Sequence, residues 1–201
     1  MDKKYKLVTF GKRDIIEDKK RSLTEMIFIF AICSILGWFV ETGYVYLSVG
    51  RIVKRGMLMG PYCPIYGFGA LILYFLFYNL KPTKANIPYT FLTASITMGA
   101  FELLSGLGFK YILNIEMWNY HGHFLSILDY TTVPILLGWG ILGTIYVFFI
   151  HRLLLKIVSI LPKVIANRTA ILIILIYATD FVISVYRIVG NPDILYKLVN
   201  P

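Results

Sequence analysis

The sequence predicts an all-α polytopic membrane protein, a helix bundle of about five transmembrane spans. Its composition is 58% apolar and only 15% charged, whereas a soluble domain has about 45–50% apolar and about 25% charged residues. The mean hydropathy is +0.71, and the apolar residues fall in blocks long enough to cross a bilayer. Five spans of about 20 residues use about half of the chain, which leaves no length for a fused nucleotide-binding domain.

The chain begins with a polar, basic segment, residues 1–25, that we expect on the cytoplasmic side of the membrane. This segment carries acidic residues as well as lysines and arginines. It is therefore too long and too acidic for the short basic start of a signal peptide, and no small-residue cleavage site follows it.

Five apolar blocks follow and define a transmembrane domain over residues 26–190, with a short tail at 191–201. The blocks cover residues 26–49, 65–80, 89–113, 133–150 and 170–189. The second block rises only about 24 Å as a helix, less than the ~30 Å hydrocarbon core, so we expect it to start within the membrane. A basic amphipathic stretch, 152–168, precedes the last block and is typical of a helix resting on anionic lipid.

The distribution of basic residues predicts the orientation. Cytoplasmic flanks of membrane spans are enriched in Lys and Arg, and an inside N-terminus places most of the 20 basic residues inside. We therefore expect a bacterial inner (cytoplasmic) membrane protein with its N-terminus inside and its C-terminus outside. The formal charge of +9 is explained by these flanks, so no nucleic-acid partner is expected. Arg51, Lys54 and Arg55 are the exception, because they follow the first span on the outer side.

Three carboxylates lie within predicted spans: Glu41, Glu102 and Asp180. Each costs about 2.5–3.5 kcal/mol at mid-membrane unless it is paired or faces water. Helical rise places Glu41 about 22 Å and Glu102 about 20 Å from the inner face, beneath the outer loop that bears Arg55. The sequence thus predicts a cluster of Glu41, Arg55 and Glu102, which is either a set of structural ion pairs or a substrate site. Asp180 is interpreted as a hydrogen-bond partner between helices.

A run rich in glycine and proline, residues 55–69, precedes the second span. Irregular backbone at membrane depth survives only inside protein or beside a water-filled cavity, so we predict a re-entrant turn. Its N–H groups would suit an anion or a polar head group, and Tyr62 and Tyr66 would shape the floor of the site. The turn residues are Gly56, Gly60, Pro61, Pro64, Gly67 and Gly69.

This run resembles the hallmark of the ABC-transporter permease family called CmpB, or type IV. Three further segments are similar to that family: residues 37–41 (Gly-Trp-Phe-Val-Glu), 101–103 (Phe-Glu-Leu) and 118–120 (Trp-Asn-Tyr). The resemblance implies a membrane transport component that works with a separate ATPase subunit. The candidate substrate-binding residues are Glu41, Arg55, Glu102, Tyr62, Tyr66 and Trp118.

The chain departs from the family pattern at two positions. It has Lys54 where Asn is usual, and Asn119 where Asp is usual. The second departure removes a carboxylate and argues against acid–base or metal chemistry at position 119.

Other chemistry finds little support in the sequence. No Walker A run is present, because the Gly11-Lys12 pair is followed by Arg13. His121 and His123 lack a second ligand pair at metal-site spacing, so we expect solvated loop histidines, no metal and no cofactor. No catalytic residue is assigned.

Three functions remain open. The first is a permease-like transport component that recognises a polar or charged small molecule. The second is a membrane enzyme acting on lipid head groups, and the third is a structural or accessory membrane protein. If the cluster is an open site, Cys63 in the turn should react with an impermeant maleimide from outside, whereas Cys33 in the first span should not.

Overall fold

The computed structural model describes residues 8–10, 13–15, 22–77, 80 and 83–190. Two short strands, β1 (Val8–Phe10) and β2 (Arg13–Ile15), pair as an antiparallel hairpin within the predicted N-terminal segment. The predicted tail at 191–201 lies outside the described residues, as do Lys81 and Pro82.

Most of the other described residues are helical, which confirms the predicted all-α fold class. The helices are α1 (Leu23–Val49), α2 (Pro64–Phe77), α3 (Ile87–Leu113), α4 (Val133–Ile145), α5 (His151–Ile160) and α6 (Lys163–Gly190). A 3-10 turn, Lys84–Asn86, precedes α3, and two short strands, β3 (Ser126–Ile127) and β4 (Thr131–Thr132), pair in the loop after it. In the described part of the chain, four helical segments are long and apolar enough to cross a membrane, and α2 is a shorter apolar helix.

α2 runs antiparallel to α1 and begins beside the middle of that helix. The Cys63 amide donates to the Ser34 carbonyl at 2.9 Å, and farther along α2 the Tyr74 hydroxyl lies 3.5 Å from a carboxylate oxygen of Glu25. Ser34 is about 22 Å from the C-terminal end of α1 by helical rise. The chain between the two helices therefore descends along α1 before α2 starts.

Glycines allow α1 and α2 to touch along their backbones. A Cβ on Gly67 would meet the Ser34 hydroxyl oxygen at 2.3 Å and the Phe30 carbonyl oxygen at 2.6 Å. A Cβ on Gly37 would meet the Tyr66 ring at 2.1 Å. Small residues at helix interfaces have this role in membrane bundles, where close packing replaces the hydrophobic driving force.

α3 and α4 form the second close pair. A Cβ on Gly140 would lie 2.1 Å from the Ser95 hydroxyl oxygen, and one on Gly143 would lie 2.5 Å from the Ala94 methyl group. The buried core lies between the two pairs and under α5. Its central side chains are Ile29, Leu73, Tyr74, Ala94, Met98, Tyr146 and Leu154.

The basic amphipathic stretch does not form one separate helix, in contrast to the expectation for residues 152–168. A π-helical turn, Tyr146–Ile150, joins α4 to α5, so that Val133–Ile160 is one continuous apolar segment of 28 residues. α5 ends at Ile160, and the backbone of Leu161 is extended (ψ 134°), because the residue before a proline is disfavoured in helical conformation. The basic residues of this stretch therefore flank the connection between α5 and α6.

α6 returns beside α1 and runs parallel to it. The Thr24 hydroxyl donates to the Asn167 side-chain oxygen at 2.8 Å near the start of both helices. Farther along, the Tyr177 hydroxyl donates to the Ala31 carbonyl at 3.1 Å. The C-terminal end of α6 therefore lies at the opposite end of the bundle from the N-terminal end of α1. Most of the surface of α6 is exposed and apolar, as expected for a helix facing lipid.

Candidate functional site

Glu102 on α3 is a carboxylate buried between helices and 6% exposed. It accepts hydrogen bonds from three neutral side chains: the Thr131 hydroxyl at 2.7 Å, the Trp139 indole N–H at 3.2 Å and the Tyr120 hydroxyl at 3.4 Å. Among the described residues, no cationic side chain pairs with Glu102. The carboxylate is hydrogen-bonded on both oxygens, as buried polar groups require, and its partners in the described part of the chain are all neutral.

Glu41 on α1 pairs with Arg55, which follows the end of that helix by six residues. The Arg55 Nε atom lies 3.3 Å from one Glu41 carboxylate oxygen, and both side chains are partly exposed, at 23% and 29%. The Tyr66 hydroxyl on α2 donates to the other Glu41 oxygen at 3.5 Å. The pair thus lies between α1, α2 and the segment that connects them.

The two carboxylates belong to one cluster because their aromatic partners touch. The Tyr66 and Trp139 rings pack against each other with centroids 5.1 Å apart. Tyr66 donates to Glu41 and Trp139 donates to Glu102. We call the set Glu41, Arg55, Tyr66, Glu102 and Trp139 the acidic–aromatic cluster.

The loop between α3 and α4 folds back over Glu102. The Tyr120 amide donates to the Asp129 carbonyl at 2.7 Å, and β3 pairs with β4 at the base of the loop. These contacts bring Tyr120 and Thr131 to the carboxylate. Burial, followed by the nearby Glu102 charge, raises the pKa of Tyr120, so its hydroxyl keeps its proton and acts as a donor.

Asp180 on α6 binds the backbone of the glycine-rich turn. Its carboxylate accepts from the amides of Met59 and Gly60, each at 2.8 Å, and from the Tyr62 hydroxyl. The Ser184 hydroxyl donates to it at 2.8 Å. The N–H groups of the turn suit an anion, as expected from the sequence, and in the structure a carboxylate of the same chain accepts from two of them.

Two of the predicted site residues lie apart from the acidic–aromatic cluster. Tyr62 donates to Asp180 and stacks on Tyr177, with ring centroids 4.2 Å apart. Trp118 donates from its indole N–H to the Tyr130 carbonyl at 3.0 Å and therefore shapes the loop. Glu41, Arg55, Tyr66 and Glu102 belong to the cluster, and their role in binding a substrate stays a prediction.

The predicted turn residues form the path from α1 to α2. Gly56 has a positive φ of 81°, which a residue without a Cβ adopts without strain. Pro64 is the first residue of α2, where its missing N–H has no intrahelical acceptor. The remaining turn residues lie along this path and the first turns of α2: Gly60, Pro61, Gly67 and Gly69.

Asn119 lies on the loop surface rather than beside Glu102. Its amide nitrogen donates to Glu116 at 2.8 Å, and its side-chain oxygen accepts from the His121 backbone at 2.6 Å. Position 119 therefore holds the loop in shape, which accounts for a neutral side chain there. His121 is exposed and lies 3.3 Å from Asp129.

Sequence reasoning missed Tyr120, Thr131 and Trp139 as partners of Glu102, and the Asp180 contact with the turn. Trp139 stands between two glycines of an apolar block, and Tyr120 belongs to the family-like Trp-Asn-Tyr segment. The signal that could have found them is chemical: a buried carboxylate requires donors, and these residues carry N–H or O–H groups.

The chain was also compared with known proteins. Residues 28–185 match the family described as "Putative ABC-transporter type IV". No curated protein and no solved structure matches. The family match extends from the start of α1 almost to the end of α6, and so it includes every residue of the acidic–aromatic cluster. The chain therefore belongs to the ABC-transporter type IV family and is a multi-pass membrane protein of a transport system.

Proposed function

We propose that the chain is a permease-like membrane subunit that recognises a polar or charged small molecule at the acidic–aromatic cluster. The observation that carries this proposal is the position of Glu41, Arg55 and Glu102, which come from distant parts of the chain, around the packed rings of Tyr66 and Trp139. Ionisable residues inside a membrane bundle mark substrate or ion paths. The family match supports the transport class.

The hydrogen bonding of Arg55 favours a binding site over an ion pair that only joins helices. Its guanidinium uses only Nε toward Glu41, and its two terminal nitrogens have no partner among the described residues. The side chain is 23% exposed, so the terminal nitrogens are open to a ligand. A guanidinium that only tied helices together would be stabilised by using its full fork of donors.

The basic end of the bundle supports the proposed orientation. Arg152, Lys156, Lys163 and Arg168 are all exposed and lie where α5 meets α6, at the end where α1 begins. We assign this end to the cytoplasmic side, with the cluster in the outer half of the bacterial inner membrane. This assignment leaves the N-terminus inside and the C-terminus outside, and a separate ATPase subunit would dock at the basic end.

The experiment is a ligand screen on the purified chain in lipid nanodiscs, read as a shift in the thermal unfolding midpoint. We expect at least one polar compound to stabilise the wild type and to lose its effect in Arg55→Gln. Arg51→Gln is the matched control. Arg51 is exposed on the same segment, and the substitution removes the same positive charge. Equal responses of both variants to every compound would contradict a site at Arg55.

A further inference from the structure

The loop between α3 and α4 folds back along α3 before α4 begins. A Cβ on Gly99 of α3 would meet the Leu136 side chain of α4 at 2.6 Å, and the Thr131 hydroxyl, just before α4, donates to Glu102. The start of α4 is therefore level with Glu102, whereas α3 continues to Leu113, about 16 Å farther by helical rise. The loop must descend through about the same distance.

Hydrogen bonds within the loop satisfy much of its backbone. The Tyr120 amide donates to the Asp129 carbonyl at 2.7 Å, and β3 pairs with β4. The Ser126 amide donates to the His123 carbonyl at 3.2 Å. Irregular backbone near the membrane interior requires such partners inside the protein, so the loop meets this condition while its side chains remain free to contact lipid.

Four large apolar side chains at the end of this loop are exposed. We call Phe124, Leu125, Ile127 and Leu128 the apolar tip; Phe124 is 76% and Leu128 is 67% exposed. The Leu125 carbonyl accepts from the Val133 amide at 3.2 Å, so the tip lies against the start of α4. It therefore adjoins the exposed apolar surface of that helix, which is formed by Val133, Leu137 and Ile141.

The backbone of the apolar tip is strained. Leu125 and Leu128 have positive φ angles, 52° and 50°, a left-handed conformation that is costly for a residue with a Cβ. Such strain persists only where the surroundings compensate it. Contact of these side chains with acyl chains would supply compensation, because it removes apolar surface from water.

We infer that the apolar tip is embedded in the outer leaflet of the bilayer, at the boundary between acyl chains and lipid head groups. Glu102 is about 20 Å from the inner face of a ~30 Å hydrocarbon core, so a tip close to its level lies within about 10 Å of that boundary. Interfacial anchors bury their apolar faces to a similar depth, about 5–10 Å. Since the same loop carries Tyr120 and Thr131 to Glu102, its contact with lipid holds one side of the acidic–aromatic cluster closed.

The first experiment measures thiol labelling of the full chain in nanodiscs. Phe124→Cys, Leu128→Cys and the loop control His121→Cys are made separately in a Cys33→Ser, Cys63→Ser background. His121 is the matched control because it is a polar, exposed residue of the same loop. Only the thiolate reacts, and apolar surroundings raise the pKa of a thiol. We therefore expect an impermeant maleimide to label positions 124 and 128 about tenfold or more slowly than position 121, as a rise of about one pKa unit requires. Equal rates at the three positions would overturn the inference.

A second measurement identifies what covers the tip. A nitroxide attached to each cysteine is exposed to oxygen, which partitions into acyl chains, and to a water-soluble nickel complex. We expect oxygen to relax the labels at positions 124 and 128 more strongly than nickel does, as at the lipid-facing reference Ile141→Cys, and the reverse order at position 121. Stronger relaxation of the tip labels by nickel would show that the tip lies in water. Shielding of the tip labels from both reagents would show that protein covers it, and either result overturns the contact with lipid.

Discussion

The contact between Asp180 and the glycine-rich turn gives a prediction that can be worked out from individual atoms. One Asp180 oxygen accepts from the Met59 amide and the Ser184 hydroxyl, and the other accepts from the Gly60 amide and the Tyr62 hydroxyl. Asp180→Asn replaces one of these acceptors with an NH₂ group. That group then faces a backbone N–H of the turn, donor against donor.

The magnitude follows from the bonds that are lost. A hydrogen bond to a charged group contributes about 1.5–3 kcal/mol, and the partial exposure of Met59 and Asp180 favours the lower end. We therefore expect Asp180→Asn to lower the free energy of unfolding by about 2 kcal/mol. For a chain of this length, that corresponds to a fall of about 4–8 °C in the thermal midpoint. Ser184→Ala removes one bond to Asp180 but leaves both turn amides bonded and no donor facing a donor, so it should lower the free energy of unfolding by less than Asp180→Asn does.

The reactivity of Cys63 provides a local assay of the same contact. Cys63 lies in the turn and is only 4% exposed, and this burial disfavours the outside labelling expected from the sequence. Release of the turn by Asp180→Asn should increase the rate of maleimide labelling at Cys63, measured in a Cys33→Ser background. Wild-type labelling and a wild-type melting midpoint in Asp180→Asn would refute the reasoning that Asp180 holds the turn.

Three further predictions concern packing, charge and topology. Gly67→Ala should lower the melting midpoint markedly, because the new Cβ would meet the Ser34 hydroxyl oxygen at 2.3 Å. Gly138→Ala is the control and should be nearly neutral, since nothing lies within 4 Å of the Cβ there. Equal melting midpoints for the two variants would contradict the close contact of α1 and α2. A double-mutant cycle of Glu41→Gln and Arg55→Gln should give a coupling free energy of about 1 kcal/mol, since the ion pair is partly exposed. Strictly additive changes in the free energy of unfolding would contradict an ion pair between these residues. A reporter fused after residue 201 should be active outside and one at residue 81 inside, and an inside signal from both would contradict the proposed orientation.

The sequence predicted the fold class and the three charged residues of the cluster for a simple reason. Helical rise is regular, so residue counts from the starts of α1 and α3 place Glu41 and Glu102 at similar heights. Arg55 follows α1 closely enough to fold back onto Glu41. These inferences require only helix geometry and the cost of a charge in the membrane.

The hydrogen-bond partners of Glu102 could not be predicted from helix geometry, because a folded loop supplies two of them. Tyr120 and Thr131 reach the carboxylate through the β3–β4 pairing and the Tyr120–Asp129 backbone bond, and neither contact has a periodic pattern in the sequence. Contacts between residues distant in the chain depend on how the loop closes, which helical spacing does not describe.

The contact between Asp180 and the turn was not predicted, although the sequence indicated both the free N–H groups of the turn and a hydrogen-bonding role for Asp180. The turn was expected to offer N–H groups to an anion, and Asp180 was expected to bond across elements. Their contact does not follow from the sequence, because the relative position of α6 and the turn depends on packing, with Tyr177 stacked on Tyr62. A buried or half-buried backbone N–H requires an acceptor, and the chain provides its own.

The most direct test of the central claim is a density map of the protein in nanodiscs with the compound that stabilises it most in the ligand screen, recorded beside a map without that compound. A binding site at the acidic–aromatic cluster predicts additional density beside the Arg55 guanidinium and the Glu41 carboxylate only in the first map. A cluster that is fully packed by protein in both maps, with Glu102 bonded to Thr131, Trp139 and Tyr120 alone, would show that these residues join helices and bind no ligand.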